Sequence, residues 1–329
     1  MRCFAPGAKM VRQLFRQHYE LDMTRMQIAR VSKVDPEIFS HDFLTGFGTP
    51  VIVTDAVDRW PASKRWTFDF FRSRYGSDTV LASAGMFSRA AKAMKLTDYL
   101  DYCEAPELGA RGLWIDPDTG RPQATPCEEP KDPFYLYSWN PLAKHPELRA
   151  DITPSPYFVA DWMSLLPDPV LELFQWVDTP SFWLLVGPKG TRSSFHQDHG
   201  FLHAYLAQIV GRKKCFLVSP ADSEFMYGGA VDPERPDLNR FPKFANATVF
   251  EAILEPGELL FMPSLWWHHV VALEKSITFS YDFFNETNFG AHFESRVRDI
   301  PSLVGALDRN PALREMLNIR WVSKGFDRG

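Results

Sequence analysis

The chain changes texture along its length, and the period of its apolar positions marks where. Up to about Glu104, apolar residues recur at helical spacing in VRQLFRQHYELDM and in WTFDFFRSRYG, and a strand-like run, PVIVTDAV at 50–57, lies between them. This predicts a mixed α/β opening segment. Residues 105–133 are dense in Pro, Gly and charge, the texture of a loop-rich insertion and a candidate lid. Beyond them the apolar runs shorten to FWLLVGP (182–188), FLHAYLAQIVG (201–211), KKCFLVSP (213–220), GELLFMP (257–263) and SITFSYDFF (276–284). Short β-type runs punctuated by Gly and Pro, with no regular helical crossovers, predict an antiparallel sandwich or small barrel such as a double-stranded β-helix, or jelly roll. From Phe289 to Trp321 the texture is helical again, in PSLVGALDR and NPALREMLNIRWV. The expected fold is mainly β with flanking helices (α+β). Its expected parts are an N-terminal segment (1–133) that sits against the core, a β core (134–288) and a helical appendage (289–329).

Composition narrows the function classes. With 45% hydrophobic and 23% charged residues in 329, the chain is long and apolar enough to bury a core, and whole-chain disorder is excluded. Lys plus Arg number 36 against 41 Asp plus Glu, a net charge of −5, so no global positive field favours a nucleic-acid partner. Cys3, Cys103, Cys127 and Cys215 are far apart and form no CxxC pair, which fits free thiols in a reducing compartment. The first twenty residues hold no continuous apolar stretch, and no run reaches the roughly 18 apolar residues of a membrane span. A cytoplasmic protein without a membrane partner is the expectation.

Two segments carry candidate chemistry. In SSFHQDHGF, His196 and Asp198 are two apart, so on a strand an imidazole and a carboxylate project from one face. In GELLFMPSLWWHHVVAL, His268 and His269 end an apolar run that follows the turn-forming Glu255-Pro256-Gly257-Glu258. Two histidines and one carboxylate on one side of a metal make the facial triad of non-haem Fe(II) oxygenases, although the ligand types alone also suit Zn(II) or Mn(II). Each motif taken singly is also compatible with surface or core histidines that bind nothing. If the last strands alternate without a break, His268 shares a face with Thr278, Ser280 and Asp282, whereas His269 lies with Ile277, Phe279 and Tyr281.

Several pieces, in order, resemble the cupin-like JmjC oxygenases, in particular the small JmjC-only hydroxylases. They are FHQD, LAQIVGRKKCFLVSP, VDPERPDLNRFPKF, GELLFMPSLWWHHV and ITFSYDFF, and the earlier TPVIVTDAVDRWPASKRWTFDFFRSRYG and FYLYSWNPLAKHPELRADITPSPYF also resemble them, so the likeness covers most of residues 31–284. The resemblance implies Fe(II) held by His196, Asp198 and His268, with 2-oxoglutarate and O₂ as cosubstrates. It also implies that Lys213, Ser193 and Tyr135 hold 2-oxoglutarate, whose carboxylate needs a cation and hydroxyl donors if it is to be buried. Without the resemblance, Lys213 reads as a solvated turn residue of the basic run Arg212-Lys213-Lys214. The implied activity is hydroxylation of a peptide or protein side chain, or of an amino-acid-like small molecule. N-demethylation, a non-catalytic metal-binding protein and a Zn(II) hydrolase are the alternatives.

The chain also departs from that family. HGFLHAYLAQ carries two extra residues before LAQ, and Asp282 stands where relatives often have Asn or Ser. Asp282, as a second acid, would either repel a dicarboxylate or bind a basic substrate, and His199 and His203 are either substrate contacts or packing residues. Finally, Leu303, Leu307, Leu313, Met316, Leu317 and Trp321 form an amphipathic pattern that by itself reads as packing on the chain's own β-sandwich, whereas the resemblance, in which helices after the catalytic domain often interlock across a two-fold axis, implies a homodimer through 301–322.

Overall fold

The structure, a computed structural model, describes residues 24–45, 48–153, 155–158, 182–292, 321–322 and 325–326. Its strands are β1 (Thr24–Gln27), β2 (Ala29–Val31), β3 (Val51–Val53), β4 (Thr79–Ala84), β5 (Ala91–Lys95), β6 (Leu113–Ile115), β7 (Pro122–Gln123) and β8 (Phe134–Trp139). They continue as β9 (Phe182–Gly187), β10 (Arg192–His196), β11 (His203–Val210), β12 (Lys213–Val218), β13 (Thr248–Leu254), β14 (Leu259–Met262), β15 (Trp267–Ala272) and β16 (Ser276–Phe283). A minor sheet has the order β1-β13-β12-β15-β10, and a major sheet runs β2-β3-β14-β11-β16-β9-β8-β4-β5-β6-β7. Consecutive strands alternate between the sheets from β9 to β16, apart from the β12–β13 connection, which stays within the minor sheet, as a jelly roll requires.

Strand alternation sorts the side chains into three apolar layers. Between the sheets lie Leu206, Cys215, Leu217, Leu254, Leu260 and Val270. The outer face of the major sheet, with Leu184, Tyr205, Phe261, Phe279 and Phe283, is covered by the N-terminal segment. There Trp60 and Trp66 set their rings 5.6 and 6.4 Å from Phe279. Phe279 is 2% exposed, so Phe279→Ala is expected to cost about 3–5 kcal/mol. The outer face of the minor sheet packs Phe195, Phe216 and Val218 against Met226, Val231 and Phe244 of the long β12–β13 connection.

The helix predicted at WTFDFFRSRYG is α1 (Phe68–Tyr75). Thr67 caps it by accepting from Phe70 N, and Phe68, Phe71 and Tyr75 are its buried residues. The N-terminal segment does more than lie on the core. It donates β1 to the minor sheet and β2 and β3 to the major one, pairing edges that would otherwise be open. The sheet is also continuous across 133/134, because β8 pairs with both β4 and β9.

Residues 105–133 are not a structureless insertion. They hold a 3₁₀ turn (Pro106–Leu108) and the pair β6/β7, which extends the sheet beyond β5. The helical reading of NIRWV stops short of its end, since Trp321–Val322 pairs as a strand with Gly325–Phe326. The rest of the proposed dimer segment, 301–320, lies outside the described residues, as does VRQLFRQHYELDM. Among the described residues no helix is long and apolar enough to cross a membrane.

Candidate active site

One end of the jelly roll opens into a cavity of about 270 Å³ between the two sheets. Both sheets contribute to its wall: Ser193, His196, Lys213, His268 and Val270 from the minor sheet, Leu185, Ala204, Ser280 and Asp282 from the major one. Tyr135 and Tyr137 of β8 and Met86 of the β4–β5 turn complete one side. No residue of 105–133 is part of the cavity wall.

A β-bulge builds the polar end. β10 and β15 pair with Ser193 opposite Val270, but the register then shifts, and His196 rather than Phe195 stands opposite His268. The rings lie 4.1 Å apart, centroid to centroid. His196 Nδ1 lies 2.7 Å from Ser194 O, and His268 Nδ1 lies 3.1 Å from Trp266 O. A carbonyl only accepts, so each Nδ1 carries the proton and each Nε2 keeps its lone pair. Those two Nε2 atoms are 3.7 and 3.6 Å from Asp198 Oδ1, giving two nitrogens and one oxygen converged on one point. The set fits a divalent transition metal, with the backbone carbonyls fixing the tautomers.

The other polar group is Lys213, whose side chain is 1% exposed. Its Nζ donates to Tyr135 Oη at 3.2 Å, and no acidic side chain among the described residues lies within ion-pair distance of it. Burial lowers its pKa to about 8. Burial also raises the Tyr135 phenol, an effect partly offset by hydrogen bonding to Ser193. A buried ammonium with hydroxyls but no carboxylate around it is a receptor for an anion. Asp282, also on the wall, is driven well above the usual carboxylate range by burial and by the nearby Asp198 carboxylate.

The sequence-derived site residues fall out as follows. His196, Asp198, His268, Lys213, Ser193, Tyr135 and Asp282 meet in one cavity. His203 does not join them. Its Nδ1 accepts from Ser264 N at 3.0 Å, its Nε2 bonds Thr287 Oγ1 at 2.9 Å, and Phe261 and Phe283 pack against its ring. Burial lowers its pKa to about 4, and its bonds brace Ser264 and Thr287 away from the cavity wall. His199 belongs to the turn after Asp198, and its side chain lies outside the described residues.

The parity argument placed His268, Ser280 and Asp282 together for a mistaken reason. β15 and β16 belong to opposite sheets and face each other across the cavity. His269 accordingly points out of the minor sheet, towards Phe195 and Phe216, and shares no layer with Ile277 or Phe279. Residues missed from sequence include Met86, Trp183 and Tyr137. Only Tyr137, two residues from Tyr135 on the same strand, carried a usable signal.

Comparison with known families matches the cupin-like domain over residues 36–289. Among curated proteins the chain is 30% identical over 242 residues to "Lysine-specific demethylase 8" of Xenopus tropicalis, covering 70% of this chain and 47% of that protein. It is 28% identical over 281 residues to "Arginine-specific demethylase JMJ22" of Arabidopsis thaliana, covering 81% and 48%. It is 28% identical over 284 residues to "2-oxoglutarate and iron-dependent oxygenase JMJD4" of Mus musculus, covering 77% and 60%. The chain thus spans about half the length of the curated relatives it matches. With a jelly roll, a converged His-Asp-His cluster and this match across most of its length, the chain belongs to the cupin-like JmjC family of iron- and 2-oxoglutarate-dependent oxygenases.

Proposed function

We propose that this protein hydroxylates a C–H bond of a peptide or protein side chain, or of an amino-acid-like small molecule. His196, Asp198 and His268 would hold Fe(II), and Lys213, Tyr135 and Ser193 would seat the distal carboxylate of 2-oxoglutarate. Bound iron supplies the O₂ chemistry that couples decarboxylation of 2-oxoglutarate, giving succinate and CO₂, to insertion of one oxygen atom into the substrate. The chain's own part is to orient. Lys213 neutralises the carboxylate, Tyr135 and Ser193 offer it hydroxyls, and Leu185, Leu206 and Val270 keep that end of the cavity dry. Asp282 lies on the cavity wall near Asp198, and a substrate bearing a cationic group would offset the burial and the Asp198 charge that hold its carboxyl in the neutral form.

The observation that carries this reading is Lys213, buried with no acidic partner among the described residues, in the same cavity as the His-Asp-His cluster. A Zn(II) hydrolase or a metal-storage protein has no use for it. Calorimetry with Mn(II) and 2-oxoglutarate tests the point. The wild type is expected to bind both, and absence of 2-oxoglutarate binding in the presence of metal overturns the proposal.

N-demethylation is the second reading, favoured by relatives that bear demethylase names. Hydroxylating an N-methyl carbon releases formaldehyde, whereas hydroxylating a side-chain carbon leaves the product 16 Da heavier, as follows from the mass of one oxygen atom. Mass spectrometry of methylated and unmethylated cationic peptides after turnover separates the two. Retained oxygen on the unmethylated peptide supports hydroxylation, and formaldehyde from the methylated one alone replaces it with demethylation.

A further inference from the structure

A second group of potential ligands lies on the opposite face of the minor sheet, and nothing in the chemistry above uses it. His269 follows His268 on β15, so alternation turns its ring outward, into the layer formed by Phe195, Phe216 and the β12–β13 connection. The residue is 2% exposed, and neither Nδ1 nor Nε2 has a hydrogen-bond partner. A neutral imidazole carries one donor and one acceptor, and burying both unpaired is a cost that native proteins rarely leave unanswered.

What faces the ring is a pair of carboxylates. Asp232 and Glu234 bring an oxygen each to within 4.8 Å of a His269 nitrogen and of each other. The loop that presents them is held at both ends. Val231 is buried in the same apolar layer, and Pro233 O accepts from Arg25 Nη2 at 2.8 Å. Within the loop, Asp232 Oδ1 accepts from Glu234 N at 2.8 Å, which leaves Oδ2 uncommitted by that turn. Two cations are close, Arg25, which is paired with Glu251 and bonded to Pro233 O, and Arg192, whose charge opposes another positive group at His269, whereas the Asp232 carboxylate favours one.

We infer that His269, Asp232 and Glu234 form a second, structural site for a divalent transition-metal ion such as Zn(II), which pins the β12–β13 connection to the back of β15. One borderline nitrogen and two carboxylate oxygens, with water completing the shell, suit a first-row ion better than Mg²⁺ or Ca²⁺, which favour all-oxygen sites. The site shares no residue with the His196–Asp198–His268 cluster and stands whether or not that cluster holds iron. Its bound ion would answer the unpaired nitrogen that the apolar layer cannot.

The test uses the full chain with the front cluster disabled by His196→Ala and Asp198→Ala, and with Cys3→Ser and Cys127→Ser so that neither thiol competes. Equilibrium dialysis against micromolar Zn(II) is expected to leave one equivalent bound, and the ion should raise the melting temperature. Adding Asp232→Asn, which keeps an acceptor for the Glu234 N–H, should weaken binding by at least about tenfold, and Glu234→Gln should do the same. Failure to retain Zn(II) in the four-substitution protein overturns the inference. So does retention undiminished by Asp232→Asn, which would mark an adventitious surface site.

Discussion

Three times the minor sheet sets two polar residues of one kind side by side and sends one to each face: Ser193 and Ser194 on β10, Lys213 and Lys214 on β12, His268 and His269 on β15. The inward members all line the cavity. Outward, Lys214 lies 4.8 Å above the Phe216 ring and 3.7 Å from Glu251, Ser194 is exposed, and His269 is buried under the β12–β13 connection. Residue type is the same within each pair, so any difference in function comes from the face alone. The inner face closes on the major sheet and excludes water, which strengthens every charge placed there. Outside, a lysine is either solvated or paired.

The histidines should break the symmetry most. His268→Ala removes a proposed metal ligand and is expected to lower turnover by more than the roughly 100-fold that loss of an outer partner costs. His269→Ala should keep metal at the front cluster and most of the turnover. In the zinc-free protein its effect is on stability, a loss of about 1–2 kcal/mol in denaturant unfolding, because the cavity it leaves is partly offset by removing two unpartnered nitrogens. Should His269→Ala lose front-site metal while His268→Ala keeps it, the ligand assignment is wrong by one residue.

The lysines come next. Lys213→Met should weaken 2-oxoglutarate binding by about 100-fold or more, the cost of leaving a buried carboxylate without its cation, and Lys214→Met should leave it unchanged. Titration sharpens the same contrast. Burial holds Lys213 near 8, below the roughly 10.4 of an unfolded chain, so between those values the unfolded state binds the extra proton. Without cosubstrate, the protein should therefore gain stability as pH rises through that window. Cosubstrate binding needs the protonated ammonium and should run the other way, its Kd rising about tenfold per pH unit above about 8. A flat Kd between pH 7 and 10 would remove Lys213 from the carboxylate site.

These pairs also show what the sequence could express. The alternating runs at 182–188, 201–211 and 276–284 announce their own strands, because period-two patterning is local. Which strand faces which is set by pairings between residues tens of positions apart, and no local pattern records those. The parity argument for Asp282 therefore reached the right cavity through the wrong sheet. The bulge between Ser193 and His196 is equally silent in sequence, yet it decides that His196 and not Phe195 stands opposite His268. A histidine near H-x-D invites a functional reading of His203, and only the structure shows the bonds with which it braces Ser264 and Thr287. Residues 105–133 read as loop-rich because Pro and Gly obscure a hairpin of two very short strands.

The serines should differ least, and they test the comparison most finely. Ser193 faces Tyr135 and Lys213, and its hydroxyl hydrogen-bonds the buried phenol. Ser193→Ala deletes one neutral hydrogen bond from a site that keeps its lysine and its tyrosine, a loss of about 1 kcal/mol. The KM for 2-oxoglutarate should rise about fivefold, with kcat nearly unchanged, because the carboxylate that Ser193 helps to seat is remote from the reacting centre. Ser194 also serves the site, but through its backbone carbonyl, which accepts the hydrogen bond from His196 Nδ1 at 2.7 Å. Alanine keeps that carbonyl, so Ser194→Ala should match the wild type in KM, kcat and metal affinity. An effect of Ser194→Ala equal to that of Ser193→Ala in steady-state kinetics would mean that the face a side chain occupies does not decide its role in this sheet.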